Sequence, residues 1–101
     1  MTVDAHHHFW DTASGRVEYP WMTGAAAALA GTYGPSELRP LVARAGIDRT
    51  VLVQTISSVE ETELFLATAA TTDFVGGVVG WVDLTDPAVG ETLDRLKARP
   101  D

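Results

Sequence analysis

Two runs of this chain are apolar without alternation, and each leads into a segment with helical spacing. Thr50-Val51-Leu52-Val53-Gln54 is one, and residues 74–82 are the other. A strand with one wet face alternates polar and apolar side chains, so an unbroken run reads as a strand buried on both faces. Such strands belong to parallel sheets, whose neighbours are joined by right-handed helical crossovers. The helices are marked too. Leu38, Leu41, Val42 and Ala45 follow helical spacing, with Pro40 expected in the first turn and Gly46 as the stop. Ser57 with Glu60 and Ser58 with Glu61 offer two overlapping capping boxes. The helix they open is expected to bury Leu64, Phe65, Ala67 and Ala69 and to end near Thr72. Asp86-Pro87 predicts a third helix, capped by the aspartate with proline at its first position. Val89, Leu93 and Leu96 mark its apolar face, and it is expected to end near Arg99-Pro100.

The first strand is read over residues 1–8, where Val3 and Ala5 alternate with Asp4. Residues 9–34 then show no sustained period and hold Gly15, Pro20, Gly24, Gly31 and Gly34, which predicts a long loop with a helical turn over residues 25–30. Loops longer than about 15 residues are uncommon in compact domains and are often lids or binding loops. Trp10, Tyr19, Trp21 and Tyr33 argue for order there, because aromatic rings need somewhere to bury.

The order is therefore strand, long loop, helix, strand, helix, strand, helix. Residues 50 and 74, the starts of successive strands, stand close to the spacing of an eightfold barrel, about 250 residues for eight βα units. Three strands cannot close such a barrel, and as an open sheet they would leave long apolar edges. The chain also reaches Pro100-Asp101 where a fourth strand should begin. Residues 1–101 are accordingly expected to be the N-terminal portion of one larger domain.

Composition excludes several functions. With 14 acidic and 7 basic residues the net charge is −7, so there is no Lys/Arg patch for a nucleic-acid backbone or an anionic membrane surface. The absence of cysteine removes disulfides, iron–sulfur clusters and thiol catalysis. No run of about 18 apolar residues exists, and residues 1–10 lack the basic and apolar regions of a signal peptide. A cytoplasmic location is the expectation. A small-molecule substrate is the expected partner, and a homo-oligomer is compatible with all of this.

Chemistry concentrates in Asp4-Ala5-His6-His7-His8-Phe9-Trp10-Asp11. His6 and His8 are two apart at a strand end, so the pleat puts both on one face about 6.5–7 Å apart along the strand. Two imidazoles so placed can converge on one ion at metal–nitrogen distances of about 2.1 Å. His7 points the other way, toward the helix layer. The carboxyl end of parallel strands is where ligands bind in such folds. The pair alone is too small for a catalytic zinc, which generally has three protein ligands, and spacing by itself allows these to be merely polar strand-end residues.

The flanking pattern adds to this. Asp4-Ala5-His6-His7-His8 resembles the Asp-x-His-x-His segment that ends the first barrel strand in the amidohydrolase superfamily. Tyr19-Pro20-Trp21-Met22, Gly46-Ile47-Asp48-Arg49-Thr50, Ser58-Val59-Glu60-Glu61-Thr62 and Val79-Gly80-Trp81-Val82-Asp83-Leu84 are similar, in order, to the amidohydrolase 2 branch of sugar-acid lactonases and related metal-dependent hydrolases. The resemblance implies an α/β fold, the first three βα units of a distorted (β/α)8 barrel of parallel strands. It implies hydrolysis of a lactone or similar cyclic ester, with His6 and His8 as the first two ligands of a divalent metal, zinc being expected. The remaining ligands and the catalytic base would lie on later strands, beyond this sequence. In lactonases of this branch that work without a tightly held metal, the same histidines would bind or polarise the substrate instead. Two rival readings stand: a catalytically silent α/β fragment or binding module, and a decarboxylase with a similar first strand.

Weaker substrate-binding candidates are Trp10, Gln54, Trp81 and Asp83. Gln54 ends the second strand and competes with a backbone-capping role. Trp81 and Asp83 share a face near the end of the third, against a core role for the first and a loop-bonding role for the second. Trp10 and Trp21 could close over a sugar-like ligand or simply pin the long loop. Gly76, Gly77 and Gly80 lie within an apolar strand, which points to close packing or a bulge and not to a phosphate-binding turn. No Gly-x-Ser-x-Gly elbow is present, so serine hydrolase chemistry has no support. Glu60, Glu61 and Glu63 read as a solvated, dipole-favouring helix start.

Overall fold

A computed structural model describes residues 1–15 and 17–98. Three parallel strands form the central sheet in the order β1 (Val3–His7), β4 (Arg49–Val53), β5 (Val75–Val79). The crossovers are α1 (Pro35–Ala45) and α2 (Val59–Ala70), and α3 (Val89–Lys97) follows β5. The expected end of α3 at Arg99-Pro100 lies outside the described residues, although the helix ends at Lys97, close to it.

The two unbroken apolar runs fold as parallel neighbours, with Leu52 beside Val78 and Val53 beside Val79. The third strand is shorter than residues 74–82. It stops at Val79 because Gly80 and Trp81 are drawn onto α2: the Trp81 N–H donates to Thr62 Oγ1 at 2.9 Å, and that hydroxyl donates to the Trp81 carbonyl at 3.1 Å. A Cβ on Gly80 would stand 2.4 Å from Thr62 Cγ2, so glycine is what allows the approach. Gly76 is the extra residue of a β-bulge, where Val75 and Gly77 pair with the adjacent Thr50 and Val51.

One layer of helices covers one face of the sheet. Phe9, Val42, Leu52, Phe65, Phe74 and Val75 form the core there, with Leu38, Ile47, Ala69 and Val78 packed around them. Ala67, expected inside, is exposed. The opposite face carries no layer among the described residues. The molecule is a slab of 45 × 37 × 20 Å. Its radius of gyration, 14.5 Å, exceeds the roughly 13 Å of a compact 100-residue domain.

The helix termini correct three details. α1 begins at Pro35, a favoured first residue, so Pro40 falls in the helix interior, where it removes the bond to the Ser36 carbonyl. Gly46 ends α1 as expected, in the left-handed region at φ 72°. For α2 neither box closes: Ser58 Oγ accepts the Glu61 N–H at 3.1 Å, but the Glu61 carboxylate does not return to the Ser58 N–H. Asp86 does not cap α3. Its carboxylate accepts the Ala88 N–H at 2.9 Å in a turn before the helix, and Ala88 takes the capping position.

The described residues between 9 and 34 are more ordered than a loop. Trp10–Asp11 (β2) and Thr32–Tyr33 (β3) pair antiparallel, and a 3-10 helix, Gly24–Leu29, fills the place of the expected helical turn. A hairpin of two-residue strands closed over a long connection leaves no periodic trace in sequence, which is why the spacing did not reveal it.

Candidate active site

The histidine segment is shaped by a bulge. Asp4 pairs with Thr50 and His7 with Leu52, so β1 holds one residue more than β4 between these points. Bulges re-aim side chains and are common beside active sites. Here His7 turns toward the helix layer and reaches the fully buried Thr50, Nε2 to Oγ1 at 2.8 Å. Its Nδ1 is buried with no partner among the described residues, and burial holds its pKa below the usual imidazole value. His7 also packs edge-on against Phe9.

His6 and His8 project to the uncovered side. Their rings meet edge-on with centroids 5.0 Å apart, and the two Nε2 atoms are 3.3 Å apart. His8 Nδ1 lies 2.8 Å from the Val53 carbonyl at the end of β4. A carbonyl only accepts, so Nδ1 carries the proton and the Nε2 lone pair is left facing His6. A backbone carbonyl on one ring nitrogen fixes both the tautomer and the orientation of the imidazole. Two nitrogens bound tetrahedrally at about 2.05 Å stand about 3.3–3.4 Å apart, so the pair has the bite of a metal-binding diad. No cluster of three or more His, Cys, Asp or Glu side chains suited to a metal occurs among the described residues.

Trp10 is brought beside His7 and His8. It lines, with His8, Leu29, Tyr33 and Leu41, a cleft of about 370 Å3, within the range of small-molecule sites. Trp10 Nε1 donates to the Leu29 carbonyl at 2.8 Å, and its ring meets Trp21 and Tyr33 edge-on, both at 5.6 Å between centroids. Tyr19 joins Trp21 at 6.4 Å, and burial raises the Tyr19 pKa. The aromatic residues thus pin residues 9–34 to one another.

Gln54, Trp81 and Asp83 are not among the residues lining that cleft. The pleat puts Gln54 on the side of Thr50 and Leu52; its N–H donates to the Val79 carbonyl at 2.8 Å and its Oε1 is buried without a partner among the described residues. Trp81 is half-buried, its backbone held by Thr62. Asp83 is exposed and accepts the Thr85 hydroxyl at 2.6 Å and N–H at 2.9 Å, and these bonds lower its pKa.

Glu61 departs furthest from its expected role. The reading of residues 60–63 as a solvated face holds for Glu60 and fails for Glu61, which is fully buried at the start of α2. One oxygen accepts the N–H groups of Thr55 at 2.9 Å and Ile56 at 3.3 Å, and the other accepts the Thr55 hydroxyl. The capping box located this residue in sequence. Nothing in the sequence showed that its side chain would turn back onto the strand end.

Residues 3–101 match the amidohydrolase family. This chain belongs to that family. Among curated relatives it is 48% identical over 98 residues to an L-fucono-1,5-lactonase of Burkholderia ambifaria, covering 97% of this chain and 33% of the relative. It is 32% identical over 93 residues to an L-fucono-1,5-lactonase of Burkholderia multivorans, covering 92% and 31%. Crystal structures of an amidohydrolase from Burkholderia multivorans share the fold at 30% identity. The one with bound HEPES gives a TM-score of 0.86, covering 97% of this chain and 33% of that one. The one with bound zinc gives 0.83, covering 100% and 34%. The chain spans about a third of the length of these relatives. The parallel α/β arrangement of this amidohydrolase-family chain matches the N-terminal part of a barrel amidohydrolase. No helix among the described residues is long and apolar enough to cross a membrane.

Proposed function

We propose that this chain supplies the first three βα units of a single (β/α)8 barrel domain that hydrolyses a sugar-acid lactone, with L-fucono-1,5-lactone the first substrate to test. The carrying observation is the convergence of His6 and His8 at the carboxyl end of β1, Nε2 atoms 3.3 Å apart, in a chain 48% identical to a lactonase. The uncovered sheet face, with Val79 and Val3 half-exposed, suits a surface that later strands of the same barrel would cover.

A lactone carbonyl needs a cation or hydrogen-bond donor to polarise it, and water needs a base. His6 and His8 would hold a divalent ion, zinc in keeping with the zinc-bound relative. When bound, such an ion supplies Lewis acidity toward the carbonyl and lowers the pKa of water. The Val53 carbonyl keeps the proton of His8 on Nδ1 and so keeps its Nε2 free to ligate. Trp10, beside His8 in the cleft, offers an apolar wall to a sugar ring. Gln54, Trp81 and Asp83 are the lesser candidates for substrate contact at the same end of the sheet. The base and the remaining ligands would come from later strands. The reading expects a small-molecule partner and a cytoplasmic location.

The 3.3 Å separation equally suits a hydrogen bond from His6 Nε2–H to His8 Nε2, which favours, as a second reading, a metal-independent lactonase that uses the pair on the substrate directly. Assay of the full-length protein with L-fucono-1,5-lactone, together with metal analysis, separates the two. Turnover with about one metal per site, both lost in His6→Ala/His8→Ala, supports the first reading. Turnover without metal supports the second. Wild-type turnover and metal content in the double variant would refute both, and activity on an aromatic carboxylate in place of the lactone would favour a decarboxylase.

A further inference from the structure

We infer that Glu61 is a positioning residue for His8: its buried carboxyl group fixes the end of β4, and with it the Val53 carbonyl that orients the His8 ring. The inference rests on the reading of His8 as a functional histidine.

Beyond Val53 the strand leaves the sheet, and its backbone donors must find other partners. Gln54 N–H still reaches the Val79 carbonyl at 2.8 Å. The next two N–H groups, of Thr55 and Ile56, have no neighbouring strand and both go to one oxygen of Glu61, at 2.9 and 3.3 Å. The Thr55 hydroxyl takes the other oxygen. Thus one side chain from α2 holds the segment that follows β4, two residues or about 7 Å from the carbonyl that His8 uses.

Burial makes the clamp matter. Glu61 is 0% exposed, and among the described residues no ion pair involves it. It is satisfied by the three donors and by its place in the first turn of α2, where the helix dipole favours it. Removing the carboxyl would leave those donors unpaired in a dry place, and the strand end would shift to regain water. The Val53 carbonyl would shift with it. His8 would then lose the acceptor that keeps its proton on Nδ1.

The arrangement also separates geometry from charge. In Glu61→Gln the amide oxygen can still accept both N–H groups, while the amide nitrogen can donate to the Thr55 hydroxyl, which then accepts. In Glu61→Ala neither is possible.

The test uses the full-length protein with zinc ion as the probe. Zinc affinity is read by chelator competition, the Nδ1–H of His8 by nitrogen-15 NMR of the metal-free protein, and kcat and KM separately on L-fucono-1,5-lactone. Glu61→Ala is expected to weaken zinc binding by up to about 10-fold, the low end of what loss of a ligand's own hydrogen-bond partner costs, because Glu61 acts one step further out. It should also broaden or move the His8 Nδ1–H signal and lower kcat with KM within about three-fold. Glu61→Gln is expected to restore all three to within about three-fold of wild type. If Glu61→Ala fails to fold, Thr55→Val removes only the hydroxyl bond and should move the same signals less far. Wild-type zinc affinity and an unmoved His8 signal in the folded Glu61→Ala or Thr55→Val protein would overturn the inference, as would equal losses in Glu61→Gln and Glu61→Ala. If the wild-type protein turns over no lactone while the NMR signal still moves in Glu61→Ala, the lactonase reading fails and the clamp stands.

Discussion

The two faces of the parallel sheet are built from similar residues and end in opposite environments. On the helix side Leu52, Thr50 and Phe65 are 0–2% exposed. On the other, Val79 is 52% exposed and His6 and His8 are exposed. A sheet that meant to keep one wet face would place polar residues there, yet Val51, Val53 and Val79 are apolar. The difference teaches that exposure here follows the helix layer and not the polarity of the strand residues, and that the helix-side core is what holds the described residues together.

The largest effect that should sharpen this contrast is truncation on the covered side. Leu52→Ala is expected to cost about 2–5 kcal/mol in urea unfolding, because it empties a fully enclosed site. Val79→Ala, half-exposed, should cost under about 1 kcal/mol when residues 1–101 are studied alone, since little apolar area leaves water there. In a full-length barrel the second value should rise toward the first. Equal losses in the isolated chain would break the distinction between the faces.

Next in size is the seam between β5 and α2. Gly80→Ala pushes a methyl group into Thr62 Cγ2 at 2.4 Å, and overpacking of this kind costs about 1–3 kcal/mol. The same substitution at Gly77, with nothing within 4 Å of its Cβ, should change stability by under about 0.5 kcal/mol. A lower Tm for the Gly80 variant alone would place the constraint at the strand end, where Trp81 turns onto Thr62.

A smaller structural effect, with a large functional one, is expected at the diad. His6→Ala/His8→Ala removes two exposed side chains and should shift stability by no more than about 0.5 kcal/mol, while lactone turnover is abolished. His7→Ala reverses the balance. It removes the Thr50 partner at 2.8 Å and the ring against Phe9, so circular dichroism melts should fall well before any contact with substrate is in question.

These contrasts also explain what the sequence made legible. The unbroken runs at Val51-Leu52-Val53 and Val75 onward, the Ser58 cap and the Gly46 stop carry local signals, and each lies where the spacing put it. Period-2 geometry placed His6 and His8 on one side and His7 on the other, with the β1 bulge as the unforeseen means. What stayed hidden depends on residues far apart in sequence. The β2–β3 pairing joins Trp10 to Tyr33, and no window of neighbouring residues encodes it. Glu61 looks like its neighbours Glu60 and Glu63 until the strand end folds over it. Asp86-Pro87 had the composition of a cap, and its side chain was satisfied one turn early by Ala88.

The smallest effect belongs to the rim of the covered face. Arg39 donates to Asp73 at 2.9 Å and lies 5.1 Å above the Phe74 ring. That hydrogen bond, and then the guanidinium charge, holds the Asp73 pKa below its usual value. A depressed carboxylate pKa stabilises the fold above the unfolded value near 3.8 and loses that contribution as pH falls through the folded value. Both partners are more than half exposed, so solvent screens the pair. Asp73→Asn should therefore lower Tm only slightly at neutral pH, and the wild-type and variant curves should merge once the pH falls below the folded pKa of Asp73. Added salt should narrow the gap at neutral pH, as it does for exposed pairs. A gap that persisted at low pH would mean that Asp73 acts through packing and not through its charge.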